Sequence, residues 1–390
     1  MKILYLSFYF EPDLCAGSFR NTSLAKELSR LSKGEHQIDV ITTKPNRYDS
    51  FKVDAKNQEC VDNMTINRID LPSHNSGMLD QINAFRAYYS AVRNITKNQQ
   101  YDLVFASSSR LFTAFLGCRI AKKKNIPLYL DIRDIFVDTM KDVLNNNLLK
   151  FITLPILKTI EHYTFSKATH INLISEGFRD YFACYKQVKF SYYTNGIDDV
   201  FLNNINQNVN DREKDTLEII YAGNIGEGQG LHKIIPQVAS ELGNNYQFKI
   251  IGDGGAKSLL LDELNKRNLK NVNVNPPVGR KELIDMYNKA DFLFLHLNDY
   301  DAFKKVLPSK LFELATFNRP IIAGVGGYAE EFIKKNIPNV ILFNPCNVDE
   351  MVQKLRLYEY EKKERSAFKK VFNRKNINNK MAESILSYLK

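Results

Sequence analysis

The residues with the clearest capacity for chemistry lie between Lys304 and Gly327, where a Lys pair, a Pro-Ser-Lys turn, a short apolar helix and a glycine-ended strand follow one another. Pro308 fits the first helical position, where its missing N–H costs nothing. The Ser309 and Lys310 amides are then among the orphan donors of the first turn. Such a helix end binds anions, and Lys310 adds a full positive charge where the helix dipole disfavours one. Glu313, three residues on, shares that face. Its carboxylate can accept two hydroxyl hydrogen bonds, as a ribose diol offers, while Leu311, Phe312, Leu314 and Ala315 face a sheet. The competing expectation is a solvated Lys–Glu pair of little energetic weight.

Other loops point the same way. The turn from Tyr221 to Gly230 contains Gly223, Asn224 and Gln229 and runs from a strand into a helix, which suits close backbone approach by a phosphate. Gly252 and Gly254 follow the next strand in the same manner. Val278 joins this donor-side set. A flexible or tightly turning loop explains each glycine cluster almost as well.

Positioning these loops requires parallel strands. Apolar runs near 3–9, 38–42, 102–106, 127–132 and 169–174 alternate with helical patterns near 18–33, 80–98, 110–124 and 148–167. After a polar stretch the rhythm restarts with strands near 217–223, 248–252, 291–297 and 319–324. Such alternation predicts an α/β fold of two Rossmann-like, doubly wound domains. The expected division is an N-terminal domain over 1–200, completed by a C-terminal helix at 376–390, a linker over 201–215, and a second domain over 216–375. The loops after the strands would face a central cleft.

Bulk properties narrow the partners. The 390 residues exceed what one hydrophobic core usually fills. A net charge of +10 favours anionic partners. It is spread without an arginine-rich stripe, so nucleic acid is not among them. The five cysteines lack metal or redox spacing. Apolar runs are too short to span a bilayer, and the first residues resemble a strand more than a signal segment, so a cytoplasmic location is expected. Asp299-Tyr300-Asp301 resembles a metal motif but sits in an ordinary polar loop, and no metal is expected. The six histidines show no ligand or triad spacing.

The order of several motifs resembles the retaining GT-B glycosyltransferases of the GT4 family, in particular the WbuB-like branch of O-antigen and capsule synthesis. Those motifs are Ala16–Arg20 with Ser23–Leu28, Asp131–Asp134, Thr194–Asp198, Tyr221–Leu231 and Leu307–Glu313. The resemblance implies a UDP-sugar donor held mainly by the second domain, with Glu313 as the second Glu of the family's paired-Glu motif. Lys305 stands where the first would be. Asn224 and Gln229 occupy the places of the family's diphosphate-binding Arg and Lys. Phosphate charge then falls to Lys310, Lys305, the Ser309 helix end and Arg20. Gly17 matches the glycine that lets the first domain's backbone approach the donor phosphate. Asp131, Arg133 and Asp134 would border the acceptor, with Asp134 orienting its hydroxyl, unless Arg133 and Asp134 are simply an ion pair. Lys305, Lys310 and Asp134 form the expected catalytic set, without a cofactor.

An acceptor of that branch is an undecaprenyl-diphosphate-linked saccharide at the inner leaflet. The stretch Leu148–Lys158 mixes apolar and basic residues as an interfacial helix does, although a buried helix kinked at Pro155 is the reading preferred on sequence. Lys122–Lys124 would add attraction to a membrane. Other readings are a nucleotide-sugar 2-epimerase and a non-catalytic nucleotide-sugar binding module. A dinucleotide oxidoreductase is disfavoured because the first strand lacks the glycine turn that pyrophosphate binding needs.

Overall fold

The computed structural model describes residues 1–46, 53–72, 78–108, 110–144, 146–203 and 216–389. The chain divides into two compact units, Met1–Asn195 with Lys375–Lys390, and Gly196–Arg374.

The first unit contains β1 (Lys2–Ser7), α1 (Ala16–Ser32), β2 (Gln37–Thr43), β3 (Gln58–Val61), β4 (Met64–Ile69), α2 (Met78–Thr96) and β5 (Leu103–Ser108). It continues with α3 (Leu111–Lys124), β6 (Leu128–Ile132), α4 (Phe136–Val143), α5 (Asn147–Ser166), β7 (His170–Leu173), α6 (Arg179–Phe182) and β8 (Lys189–Ser191). Among the described residues its eight strands are ordered β3-β4-β2-β1-β5-β6-β7-β8, parallel except for the β3–β4 edge hairpin. Ile3, Leu4, Tyr5 and Leu6 of β1 are fully buried, as a central parallel strand covered on both faces requires.

The second unit contains α7 (Asp199–Asn203), β9 (Leu217–Asn224), α8 (Leu231–Leu242), β10 (Tyr246–Asp253), α9 (Lys257–Lys266), β11 (Val272–Asn275) and α10 (Arg280–Lys289). Then come β12 (Phe292–His296), α11 (Lys310–Leu314), β13 (Ile321–Gly324), α12 (Tyr328–Asn336), β14 (Val340–Phe343), α13 (Val348–Arg356) and α14 (Ser366–Val371). The sheet runs β11-β10-β9-β12-β13-β14. Every pairing in it is parallel. Apolar clusters cover both faces, one including Leu293, Leu311 and Phe312, the other Ile219, Ile234 and Phe294. The last helix, α15 (Arg374–Leu386), returns to the first unit, where Met381, Ala382 and Ile385 join the core around β1.

Three expectations change. The expected linker over 201–215 begins later, because residues 201–203 end α7 and Phe201 is buried in the second unit's core; positions 204–215 lie outside the described residues. The division falls after Asn195, where Ile197 pairs with Asn373 and Asp198 accepts an ion pair from Arg374 at 2.7 Å. The preferred reading of Leu148–Lys158 as a buried helix fails. Leu148, Leu149, Phe151, Ile152 and Ile156 are exposed, and α5 is anchored by Glu161, Thr164 and Phe165 near its other end.

Candidate functional site

Strand order reverses in the second unit between β9 and β12, the switch point at whose carboxyl ends open parallel sheets take ligands. The glycine-rich loop leaves β9 there. Gly230 adopts φ +59°, a left-handed turn that caps the start of α8. The Gln229 carbonyl accepts the Nδ1 proton of His296 at 2.6 Å, while His296 Nε2 accepts the Cys346 amide at 2.9 Å. These bonds define the tautomer. Burial lowers the His296 pKa to about 4, so the ring is neutral near pH 7. Asn298 donates to the Glu227 carbonyl at 2.8 Å, and the Tyr300 hydroxyl reaches the Glu227 carboxylate at 3.0 Å.

Asn224 and Gln229 bond to each other at 2.7 Å, bracing the turn. Gly223 and Gly252 lie side by side on paired strands, and a Cβ on Gly252 would run into the Gly223 carbonyl. A Cβ on Gly254 would meet the Ile225 carbonyl at 2.7 Å. These glycines therefore serve close packing of strand ends as well as open approach. Val278 packs partly buried against the core below, in the loop before α10.

Lys310 extends toward this glycine floor, its Cε 3.8 Å from where a Gly223 Cβ would stand. Its Nζ donates to Glu313 Oε2 at 2.7 Å. The pair is not the solvated one that sequence allowed, since the side chains are 25% and 8% exposed. Burial works against the Lys310 charge, but Glu313, Tyr287 and Tyr221 more than offset it and raise the pKa. Oε1 of Glu313 has no hydrogen-bond partner among the described residues, so the carboxylate keeps accepting capacity.

One expectation about this turn is corrected. The helix begins at Lys310 with Ser309 as its cap and has only five residues, so Pro308 lies outside it. Its dipole is correspondingly small, and anion attraction rests on Lys310 itself and the first-turn amides. Lys305 ends the short helical turn Asp301–Lys305, partly buried, one loop before α11. In the expected non-metal loop, Asp301 pairs with Lys304 at 2.6 Å.

In the first unit, Arg20 is committed elsewhere than a phosphate. Nε and Nη2 grip both oxygens of Asp131 at 2.9 Å, while Nη1 and Nη2 donate to the Thr194 and Tyr193 carbonyls at 2.8 Å. Both side chains of the pair have zero exposure. Asp131 also accepts from Ser107 and Asn172. Burial opposes its charge, yet Arg20 and Asn172 hold its carboxyl below the usual range. Neither Arg20 nor Asp131 can touch a ligand in this arrangement. Arg133 lies against Gly17, its guanidinium filling the space a Cβ would need. Arg133 and Asp134 form no ion pair among the described residues. Asp134 instead accepts the Thr139 hydroxyl at 3.2 Å, and burial pushes its carboxyl up to about 6.

Sequence reasoning passed over His296, Asn298 and Glu227, which hold the glycine loop. Their partners lie 50 to 73 residues away along the chain, with no local spacing to mark them.

Comparison with known proteins agrees with this architecture. Residues 203–373 match the family model of glycosyl transferases group 1, which includes the whole Lys310–Glu313 region. A stretch of 112 residues is 30% identical to the putative colanic acid biosynthesis glycosyl transferase WcaI of Escherichia coli K12. It spans 29% of this chain and only 27% of that relative. Sucrose-phosphate synthase from Thermosynechococcus elongatus superposes with a TM-score of 0.67 at 11% identity, covering 100% of this chain and 96% of its own. HepE of Anabaena in complex with UDP-glucose gives 0.67 at 13% identity, covering 99% and 100%. The fold is GT-B, as expected, and the family match supports glycosyl transfer.

Proposed function

We propose that this chain is a retaining, metal-independent GT4-type glycosyltransferase of the WbuB-like branch. It moves an N-acetylated hexosamine or 6-deoxyhexosamine from a UDP-sugar to a lipid-diphosphate-linked saccharide during bacterial surface polysaccharide synthesis. One observation carries the reading: the Lys310–Glu313 pair stands over the glycine floor at the β9/β12 switch point, inside the segment that matches glycosyl transferases group 1. Solved relatives holding UDP-glucose and UDP-2-fluoro glucose support a UDP-sugar donor. The WcaI likeness supports a surface polysaccharide product.

In this mechanism Glu313 accepts the ribose hydroxyls through Oε1 while Lys310 holds its other oxygen. Lys310, Lys305 and the amides around Ser309 and the glycine loop stabilise the departing diphosphate. That electrostatic contribution is the largest catalytic one. The leaving phosphate oxygen takes the proton of the acceptor hydroxyl on the same face of the sugar, so configuration is kept without a metal. Asp134 orients the acceptor. A lipid-linked acceptor makes the inner-leaflet surface a partner and places the protein peripherally on it.

A thermal-shift panel with UDP, GDP, ADP and NAD in EDTA tests the donor site. UDP at one hundred times its Kd adds about 2.7 kcal/mol of apparent stability. The expected outcome is a UDP shift that Glu313→Ala and Glu313→Gln both remove. A shift from NAD but not UDP overturns the reading. UDP binding without sugar release or transfer from any UDP-sugar would leave a binding module instead of an enzyme.

A further inference from the structure

We infer that the flank of the first unit formed by α5 and the adjoining ends of α2 and α3 is a docking surface for an anionic phospholipid bilayer. The inference deepens the proposed membrane setting of the acceptor and rests on that setting, but its evidence is separate from the donor site.

The first half of α5 is amphipathic in the unusual sense, with its apolar stripe turned outward. Phe151 is 79% exposed and Leu148 69%, and Leu149, Ile152 and Ile156 are exposed with them. Leu148, Ile152 and Ile156 fall on one helix face, with Phe151 and Pro155 alongside. Single exposed apolar residues are ordinary, whereas a contiguous group of this size marks an interaction surface.

Charge next to the stripe selects the occupant. Helices α3 and α5 pack together. Where they meet the end of α2, a cavity of about 680 Å³ is lined by Arg93, Lys97, Arg119, Lys122, Lys123 and Lys124, with no carboxylate among its described lining residues. Tyr163 of α5 belongs to the same wall, and Lys122 Nζ sits 5.4 Å from its ring centre. Burial, and after it the neighbouring Lys123, lowers the Lys124 pKa, while Lys124 Nζ donates to the Gln99 carbonyl. A second copy of the chain, docked by a twofold axis, would set these cations against themselves. A bilayer satisfies both features: acyl chains take the stripe and phosphate headgroups take the cations. Phe151 and Tyr163 are about 18 Å apart along the helix, so one membrane surface reaches both. Lys150, Lys158 and Glu161 make α5 too polar to cross the bilayer, so it lies along the surface.

Co-sedimentation of the full chain with vesicles of phosphatidylcholine, alone or mixed with phosphatidylglycerol, tests this. Binding should favour the anionic vesicles and weaken with salt. Lys122→Glu with Lys123→Glu should reduce it at least about tenfold, and Phe151→Asp with Ile152→Asp should abolish it. Thermal melts and the UDP shift, read on the same variants, should stay at wild-type values because these side chains are exposed. No donor is present, so failure here is separate from failure of the transfer reading. Absent vesicle binding, or binding indifferent to both variants, overturns the inference. So does a dimer that Phe151→Asp turns into a monomer, or a pyrophosphate-induced shift lost in the Lys variant without change in vesicle binding.

Discussion

Each sheet carries a cation–carboxylate pair near the carboxyl ends of its strands, and the two are used in opposite ways. Arg20 and Asp131 are bidentate, without exposure, and tied to backbone carbonyls and two further side chains. Lys310 and Glu313 share one bond, remain partly open, and leave a carboxylate oxygen unoccupied among the described residues. A pair with every donor satisfied fixes loops. A pair with spare capacity can exchange its partner for a ligand. The cost of burying charge explains the difference, since a fully dry pair must be bonded on all sides to survive.

The largest effect should come from breaking the dry pair. Arg20→Met leaves Asp131 buried without a counter-ion and should cost about 3 to 5 kcal/mol in urea unfolding. Adding Asp131→Leu should recover much of that loss, because the uncompensated charge disappears with it. Lys310→Met removes one partner of a pair that is still partly open, so it should cost less, about 1 to 3 kcal/mol, while removing the UDP shift. Equal costs for the two single variants would erase the distinction between a structural and a ligand-ready pair.

Glycines offer a second way to sharpen the contrast. Gly252→Ala drives a methyl into the Gly223 carbonyl at φ +150°, where only backbone movement makes room, so about 2 to 3 kcal/mol should be lost. Gly17→Ala meets a side-chain end, the guanidinium of Arg133, instead of backbone, and should cost less, about 1 kcal/mol. A comparable loss at Gly17 would mean that Arg133 is held as rigidly as a backbone.

What the sequence made legible follows the range over which its signals act. The long apolar runs of β1, β6 and β9 and the periodic helices α1, α2 and α3 stand within a few residues of expectation, because burial on both faces writes itself into consecutive side chains. Strands β3, β4, β8, β11 and β14 have no counterpart among the expected ones. β11 reads Val-Asn-Val-Asn and β3 is largely exposed at the sheet edge, so neither bears the mark of a buried strand. Glu313 and Lys310 were legible because one helical turn joins them. The fate of Arg20 was not, because its partner lies 111 residues away and no local pattern distinguishes a cation aimed at a ligand from one aimed at the core.

Asp134 tests what happens to a strand-end carboxyl that has neither kind of partner. Burial without an ion pair pushes its pKa from 3.8 to about 6. Between those values the folded state holds more protons than the unfolded chain, so stability must fall as pH rises through that window. The neutral carboxyl is fully favourable below about pH 4, and the whole cost of the buried charge is present at pH 7. Asp134→Asn keeps the acceptor oxygen for Thr139 and carries no charge. It should therefore be more stable than the native chain by roughly 1 to 3 kcal/mol at pH 7, converge with it near pH 4, and show a flatter profile between. If Asp134 also orients the acceptor, sugar transfer should fall in the same variant while UDP binding stays intact. A variant whose stability follows the native pH profile would show that Asp134 is solvated, and would remove the reason for setting it apart from the paired carboxylates.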